Sequence, residues 1–171
     1  MGKIINNPPE AASIMEASRS FGNYDLPSAL ADLIDNSITA NCNTIEITCK
    51  WNDGKPSIRI KDDGDGMSPE ELIQAMKPAS KNPLNDRDPN DMGRFGLGLK
   101  TASFSQARSL TVLTRKTDIV GAKWDLDDID DWKMYLFEGN ELEKFSPEFF
   151  AETESGTEVI WEKTDRLTEE G

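Results

Sequence analysis

Histidine is missing from all 171 residues. That excludes Ser-His-Asp and Cys-His nucleophile systems, histidine metal ligation and any phosphoaccepting histidine within the chain. The only cysteines are Cys42 and Cys49. Two are too few for a structural zinc site, and a reduced pair in a cytoplasmic protein is expected. No apolar run is long enough to span a membrane, and none reads as a signal peptide. Positive charge is also scarce: 19 basic residues stand against 32 acidic ones, a net charge of −13. Such a surface repels phosphate backbones, so direct nucleic-acid binding by this domain is not expected. A bound nucleotide is still allowed, because a metal ion and local backbone amides override the global sign. What is present, 36% hydrophobic residues over this length, fits one domain with a real core.

Local patterns describe a mixed α and β chain without repeats. Helices are expected over 11–20 and 26–40, strands over 44–51 and 57–61 with a turn at Asn52-Asp53-Gly54 between them. Ser68-Pro69-Glu70-Glu71 is a capping box with proline in the first turn, opening a helix that runs to about Lys77. The polar stretch 78–92, broken by Pro83 and Pro89, reads as a long loop. A short helix after Gly98 leads to strands over 109–116, 120–126, 133–137 and 157–162. The acidic run 125–131 reads as a solvated loop with no role beyond solubility.

Three blocks carry chemistry. In Ala31-Asp32-Leu33-Ile34-Asp35-Asn36-Ser37, Asp32, Asp35 and Asn36 share one helix face opposite Leu26, Ala29, Leu30 and Leu33. Taken alone this is a solvated polar face. The sharper reading gives Asn36 a magnesium contact through its amide oxygen and lets Asp32, one turn earlier, polarise a water. The second block, Asp62-Asp63-Gly64-Asp65-Gly66-Met67, follows a strand and lacks the alternation of an EF-hand loop. An ordinary acidic turn has this composition. As a site, it lets Asp62 accept from an exocyclic amine, Gly64 and Gly66 admit a base to the backbone, and Met67 offer a polarisable surface. The third block, Gly93-Arg94-Phe95-Gly96-Leu97-Gly98, is not preceded by a strand, so it is no dinucleotide fingerprint. Leu99 puts Lys100-Thr101 out of register for a P-loop. What remains is a glycine loop feeding a helix N-terminus, a general anion site to which Lys100 adds charge. Together the blocks supply the parts that hold a magnesium nucleotide and attack its last phosphate.

The order Asp32-x-x-Asp35-Asn36, Asp62-x-Gly64-x-Gly66, Gly93-x-x-Gly96-x-Gly98 and a late Gly156-Thr157 resembles the GHKL, or Bergerat-fold, ATPases. That superfamily takes in the gyrase ATPase subunit, the large heat-shock chaperone, mismatch-repair MutL and histidine kinases. The wording of 29–37 and 93–105 looks most like MORC-type proteins and their bacterial chaperone-like relatives.

The resemblance implies an α+β fold, a two-layer sandwich with a mixed sheet and helices on one face. It implies ATP and Mg²⁺ as ligands, with Asn36 on the metal and Asp62 on the adenine amine. By the same token Gly93, Arg94, Phe95, Gly96, Leu97, Gly98 and Leu99 form a lid over the phosphates. Lys100 follows the lid glycines as in the MORC-like branch, Ser80 and Lys81 contact phosphate, and Thr157 supports the adenine contact. The implied reaction is slow ATP hydrolysis with Asp32 as general base, in residues 1–171 as one ATP-binding module of a longer protein that forms an ATP-dependent homodimer. Asp32 stands where the family usually has glutamate, and Thr39 where many relatives carry aspartate. A carboxylate shorter by one methylene reaches less far, which favours slow turnover. Two other readings stand beside this one: a nucleotide-gated interaction module that does not hydrolyse ATP, and a kinase of the histidine-kinase type, in which asparagine usually occupies the position of Asp32.

Overall fold

The computed structural model describes residues 8–20, 24–78 and 98–167. Helix α1 (Ala11–Ser18) is followed by α2 (Leu26–Thr39). The side chain of Asp25 accepts the Ser28 amide at 2.9 Å and Pro27 lies in the first turn, so a side-chain cap and a proline fix the start of α2. Strands β1 (Ile45–Lys50) and β2 (Ser57–Asp62) form a hairpin. The chain reverses at Asn52, Asp53 and Gly54 with φ of 47°, 53° and 85°, the left-handed region that Asn, Asp and Gly tolerate. The capping box of α3 (Pro69–Met76) is present in both directions: Ser68 Oγ accepts the Glu71 amide, and the Glu71 carboxylate accepts the Ser68 amide. Then come α4 (Gly98–Gln106), β3 (Ser109–Arg115), β4 (Ile119–Asp125) and β5 (Tyr135–Glu138). A 3-10 segment (Gly139–Lys144), α5 (Pro147–Glu152) and β6 (Gly156–Glu162) complete the described chain.

The strands lie in the order β1-β2-β6-β3-β4-β5. The last strand in sequence therefore sits in the middle, with β2 on one side and β3 on the other. Every pairing is antiparallel, where a mixed sheet was expected. The α+β class stands, and hairpins rather than crossovers make most of the connections. Alternation assigns the faces. Ile58, Ile60, Leu110, Val112, Val120, Ala122, Val159 and Trp161 point to one side and form the main core with Met15, Leu33, Leu72, Met76 and Phe104 from the helices. The two buried indoles meet partners there: Trp161 Nε1 donates to Ser103 Oγ at 2.8 Å and Trp124 Nε1 to the Met76 carbonyl at 2.9 Å.

The other face is not bare. Leu113 and Ile160 pack with Leu142 of the 3-10 segment and Phe149 of α5 in a second, smaller core. Helices on one face only was thus an incomplete expectation. The segments that cover the second face are short and polar, with a single buried apolar residue each, so periodicity had nothing to register. The run 125–131 is likewise more than solvated: Asp125 and Asp127 both receive Lys163 Nζ, at 2.8 and 2.9 Å, and Asp127 also receives Arg108. Among the described residues no helix is long and apolar enough to cross a membrane.

Candidate functional site

The antiparallel register of β2 and β6 sets Asp62, the last residue of its strand, opposite Thr157, near the start of the other. Asp62 is 7% exposed. Its Oδ1 accepts the Gly64 amide at 3.0 Å and the Thr157 amide at 3.2 Å, and its Oδ2 accepts the Ser37 hydroxyl at 2.8 Å. Burial nevertheless wins: loss of water raises the Asp62 pKa above the usual carboxylate value, and the three hydrogen bonds offset that only in part. Ser37 reaches Asp62 from the inner side of α2, so the helix of the first block and the turn of the second are joined by one hydrogen bond.

The turn itself is locked by close packing. A Cβ at Gly64 would lie 2.6 Å from the Ala40 carbonyl oxygen, and one at Gly66, where φ is +67°, only 1.9 Å from that of Arg115. Gly156, at φ +135°, faces the Asp62 carbonyl oxygen at 2.0 Å in the same sense. The space a side chain would need at Gly64 and Gly66 is filled by protein backbone, so fold packing alone already requires both glycines. The amide of Met67 donates to Thr114 Oγ1 at 2.8 Å and ends the turn.

Asp62, Ser37, Asn36, Thr157, Met67 and Leu99 line one cavity of about 10 Å³. That is room for about one water. The Nδ2 atom of Asn36 is buried there with no hydrogen-bond partner among the described residues. An amide held with unmet polarity is costly in a purely structural role. Asp32 lies one turn before Asn36 on the same helix face, and the Tyr24 hydroxyl donates to its Oδ2 at 3.0 Å. Burial, followed by the neighbouring Asp32, raises the Tyr24 pKa, so the phenol keeps its proton. Lys100, in the first turn of α4, is only 5% exposed and its Nζ lies 2.5 Å from the Lys77 carbonyl, at the C-terminus of α3. Burial lowers its pKa to about 8.

The structure therefore gathers Asn36, Asp62, Met67, Leu99 and Thr157 around one cavity. Asp32 sits beside that group, and Lys100 is turned toward α3. Ser80, Lys81, Gly93, Arg94, Phe95, Gly96 and Leu97 lie outside the described residues, and only the backbone of Gly98, the first residue of α4, is described. Tyr24, Ser37 and Thr114 were not singled out from the sequence. A serine or threonine has no spacing signature, and only the fold shows which hydroxyl reaches a carboxylate. Among the described residues there is no group of three or more His, Cys, Asp or Glu able to hold a metal. The donor set on α2 instead suits magnesium, which takes one or two protein oxygens when phosphates and water supply the others.

Comparison with known proteins gives the site its context. Residues 24–157 match the family model described as histidine kinase-, DNA gyrase B- and HSP90-like ATPase. The ATPase morc-1 of Caenorhabditis elegans is 30% identical over 95 residues, 56% of this chain and 11% of that protein. The DNA mismatch repair protein MutL of Thermosipho africanus is 30% identical over 115 residues, 66% of this chain and 20% of its own. MutL of Coxiella burnetii is 35% identical over 91 residues, 52% of this chain and 16% of its own. The chain spans a fifth or less of these relatives' length. A family match over residues 24–157, on a sheet that sets Asp62 against Gly156 and Thr157, places this chain in the histidine kinase-, DNA gyrase B- and HSP90-like ATPase family.

Proposed function

We propose that this domain binds Mg·ATP between α2 and the sheet and hydrolyses it slowly, Asp62 taking the adenine amine and Asn36 facing the metal. The observation that carries the reading is the buried Asp62 carboxylate, braced by Ser37, Gly64 and Thr157 at the cavity that Asn36 also lines, its Nδ2 without a partner among the described residues. A fixed acceptor that is still short of hydration suits an exocyclic amine. Thr157 supports it through the backbone, and Met67 offers sulfur to the face of the base. Gly64 and Gly66 shape this wall. When bound, magnesium neutralises charge between the phosphates. Asn36 presents its amide oxygen to the ion, and Asp32 orients or deprotonates the attacking water. The stretch from Gly93 to Leu99 wraps the phosphates, with Ser80, Lys81 and Lys100 adding contacts. Within a longer protein, ATP closes this lid and pairs two copies of the domain, in a cytoplasmic setting. That the relative morc-1 is an ATPase agrees with this reading.

One observation favours a second reading. Asp32 replaces the longer glutamate, and a Tyr24 hydroxyl already occupies one of its oxygens, which suits a nucleotide switch that binds without turnover. Calorimetric titration with a non-hydrolysable ATP analogue, with and without Mg²⁺, tests the site; phosphate release tests the chemistry. The expected result is magnesium-dependent binding weakened by Asn36→Ala, and release that Asp32→Ala abolishes while binding persists. Tight binding with no release from wild type would establish the switch instead, and no binding by the folded domain would overturn both.

A further inference from the structure

The chain holds three Asp-Gly steps: Asp53-Gly54, Asp63-Gly64 and Asp65-Gly66. Each sets a side-chain carboxyl before an amide that no Cβ shields, the arrangement in which an aspartyl peptide closes on itself. The glycine nitrogen attacks Cγ of the aspartate and the N–Cγ bond forms. The carboxyl hydroxyl leaves as water with the amide proton, and a five-membered succinimide results. Water then opens the ring. Attack at Cγ restores aspartate; attack at the original peptide carbonyl leaves the chain running through Cγ, with a free α-carboxylate. One water is lost and one regained, and nothing is oxidised or reduced.

All three aspartates are exposed, so access to solvent does not separate them. The freedom of the glycine does, because ring closure turns ψ of the aspartate and swings the glycine nitrogen with it. At Asp63 that nitrogen is engaged: the Gly64 amide donates to Asp62 Oδ1 at 3.0 Å, and Asp63 Oδ1 accepts the Asn43 and Thr44 amides at 2.7 and 2.8 Å. At Asp65 the carboxylate accepts Asn41 Nδ2 at 2.7 Å and the backbone amide donates to the Ala40 carbonyl at 2.8 Å. Gly64 and Gly66 are both buried against backbone. The tip of the β1-β2 hairpin is the opposite case. Gly54 is exposed, with nothing within 4 Å of the place a Cβ would take. Asp53 stands at φ 53° and ψ 47°, a left-handed conformation that an L residue holds at a cost and that rotation relieves. We propose that Asp53 is a modification site: in the folded domain it isomerises through a succinimide to a β-linked aspartate, while the fold suppresses the same reaction at Asp63 and Asp65. The product's displaced α-carboxylate is what an isoaspartate-specific carboxyl methyltransferase recognises, so the hairpin tip is a substrate for that class of enzyme.

The test incubates the folded chain and a urea-unfolded sample for weeks at mildly acidic pH, then labels both with such a methyltransferase and a tritiated methyl donor. Trypsin leaves Asp53 in the peptide 51–59 and the other two aspartates in 62–81, because proline follows Lys55 and Lys77. The folded chain is expected to carry at least about tenfold more label in 51–59 than in 62–81, the protection that local structure gives. The unfolded sample should label both peptides. Asp53→Glu, whose ring would need six members, should lose the label from 51–59 while Asn52 remains. Should that variant fail to fold, electron-transfer fragmentation of the wild-type peptide locates the β-linkage directly. Comparable label in the two peptides of the folded chain overturns the proposal, as does label confined to the unfolded sample. Label that persists in 51–59 of Asp53→Glu, or a β-linkage found at position 52, moves the reaction to Asn52 and overturns it too.

Discussion

Ionised carboxylates resist burial, and Asp62 is held where water scarcely reaches, with hydrogen bonds that recover part of the loss. The sign of its effect on folding follows. Its pKa is raised in the folded state, so the folded chain holds this proton more tightly than the unfolded chain. Stability linked to Asp62 is full below the ordinary value of 3.8 and is lost as pH rises through the raised folded value. Asp62→Asn removes the titration and keeps the shape; its oxygen still accepts from Gly64 and Thr157, and its amine can donate to Ser37. Urea denaturation of both proteins from pH 3 to pH 7 should show the variant gaining on wild type as pH rises, while it loses the nucleotide. A stability gap that stays constant across that range would show that Asp62 ionisation does not weigh on the fold. The aspartate itself was legible, because an acidic glycine turn after a strand marks it. Of its partners, Thr157 entered through the resemblance alone and Ser37 not at all: they lie 95 and 25 residues away, and only the fold brings them together.

At the scale of elements, starts and turns were the legible part. The start of α2 at Leu26, the Ser68 box of α3 and the Asn52–Gly54 reversal each rest on local chemistry within four or five residues, and each stands where the sequence put it. Elements that exist only because a surface is there to receive them were missed, α5 and its 3-10 neighbour above all. The contact between α3 and α4 belongs to the same kind: Lys100 sets a buried ammonium against the Lys77 carbonyl, where the C-terminal dipole of α3 favours a cation. Burial outweighs that attraction and lowers its pKa from 10.5 to about 8. For a base lowered in the folded state, the unfolded chain binds the proton more tightly, so stability rises with pH between about 8 and 10.5. Lys100→Met should flatten that rise in denaturation midpoints measured across the window, against a wild type that gains. Parallel profiles would mean that the ammonium escapes to water in the folded domain.

The whole molecule has −13 charges to hold together, and its scarce cations sit where they join distant parts of the chain. Arg19, just beyond α1 and 4% exposed, donates Nε to the Phe104 carbonyl at 2.9 Å and grips Asp165 through both terminal nitrogens, at 3.0 and 2.5 Å. Arg108 adds Glu16 and Asp127 to the same end of the fold. Helix α1 buries only Ala11 and Met15, so this cluster, more than apolar area, fastens it to α4 and to the chain leaving β6. A planar guanidinium with two parallel bonds and a carbonyl is not replaced by a thioether. Arg19→Met should therefore cost about 1–3 kcal/mol, and the loss should be uneven. Hydrogen exchange should quicken across the amides of α1 well before it changes in β3 and β6, because a latch released at one end opens locally without unfolding the sheet. Exchange that rises uniformly through helix and sheet would mean that α1 and the central strands open as one unit, and the idea of a local latch would fall.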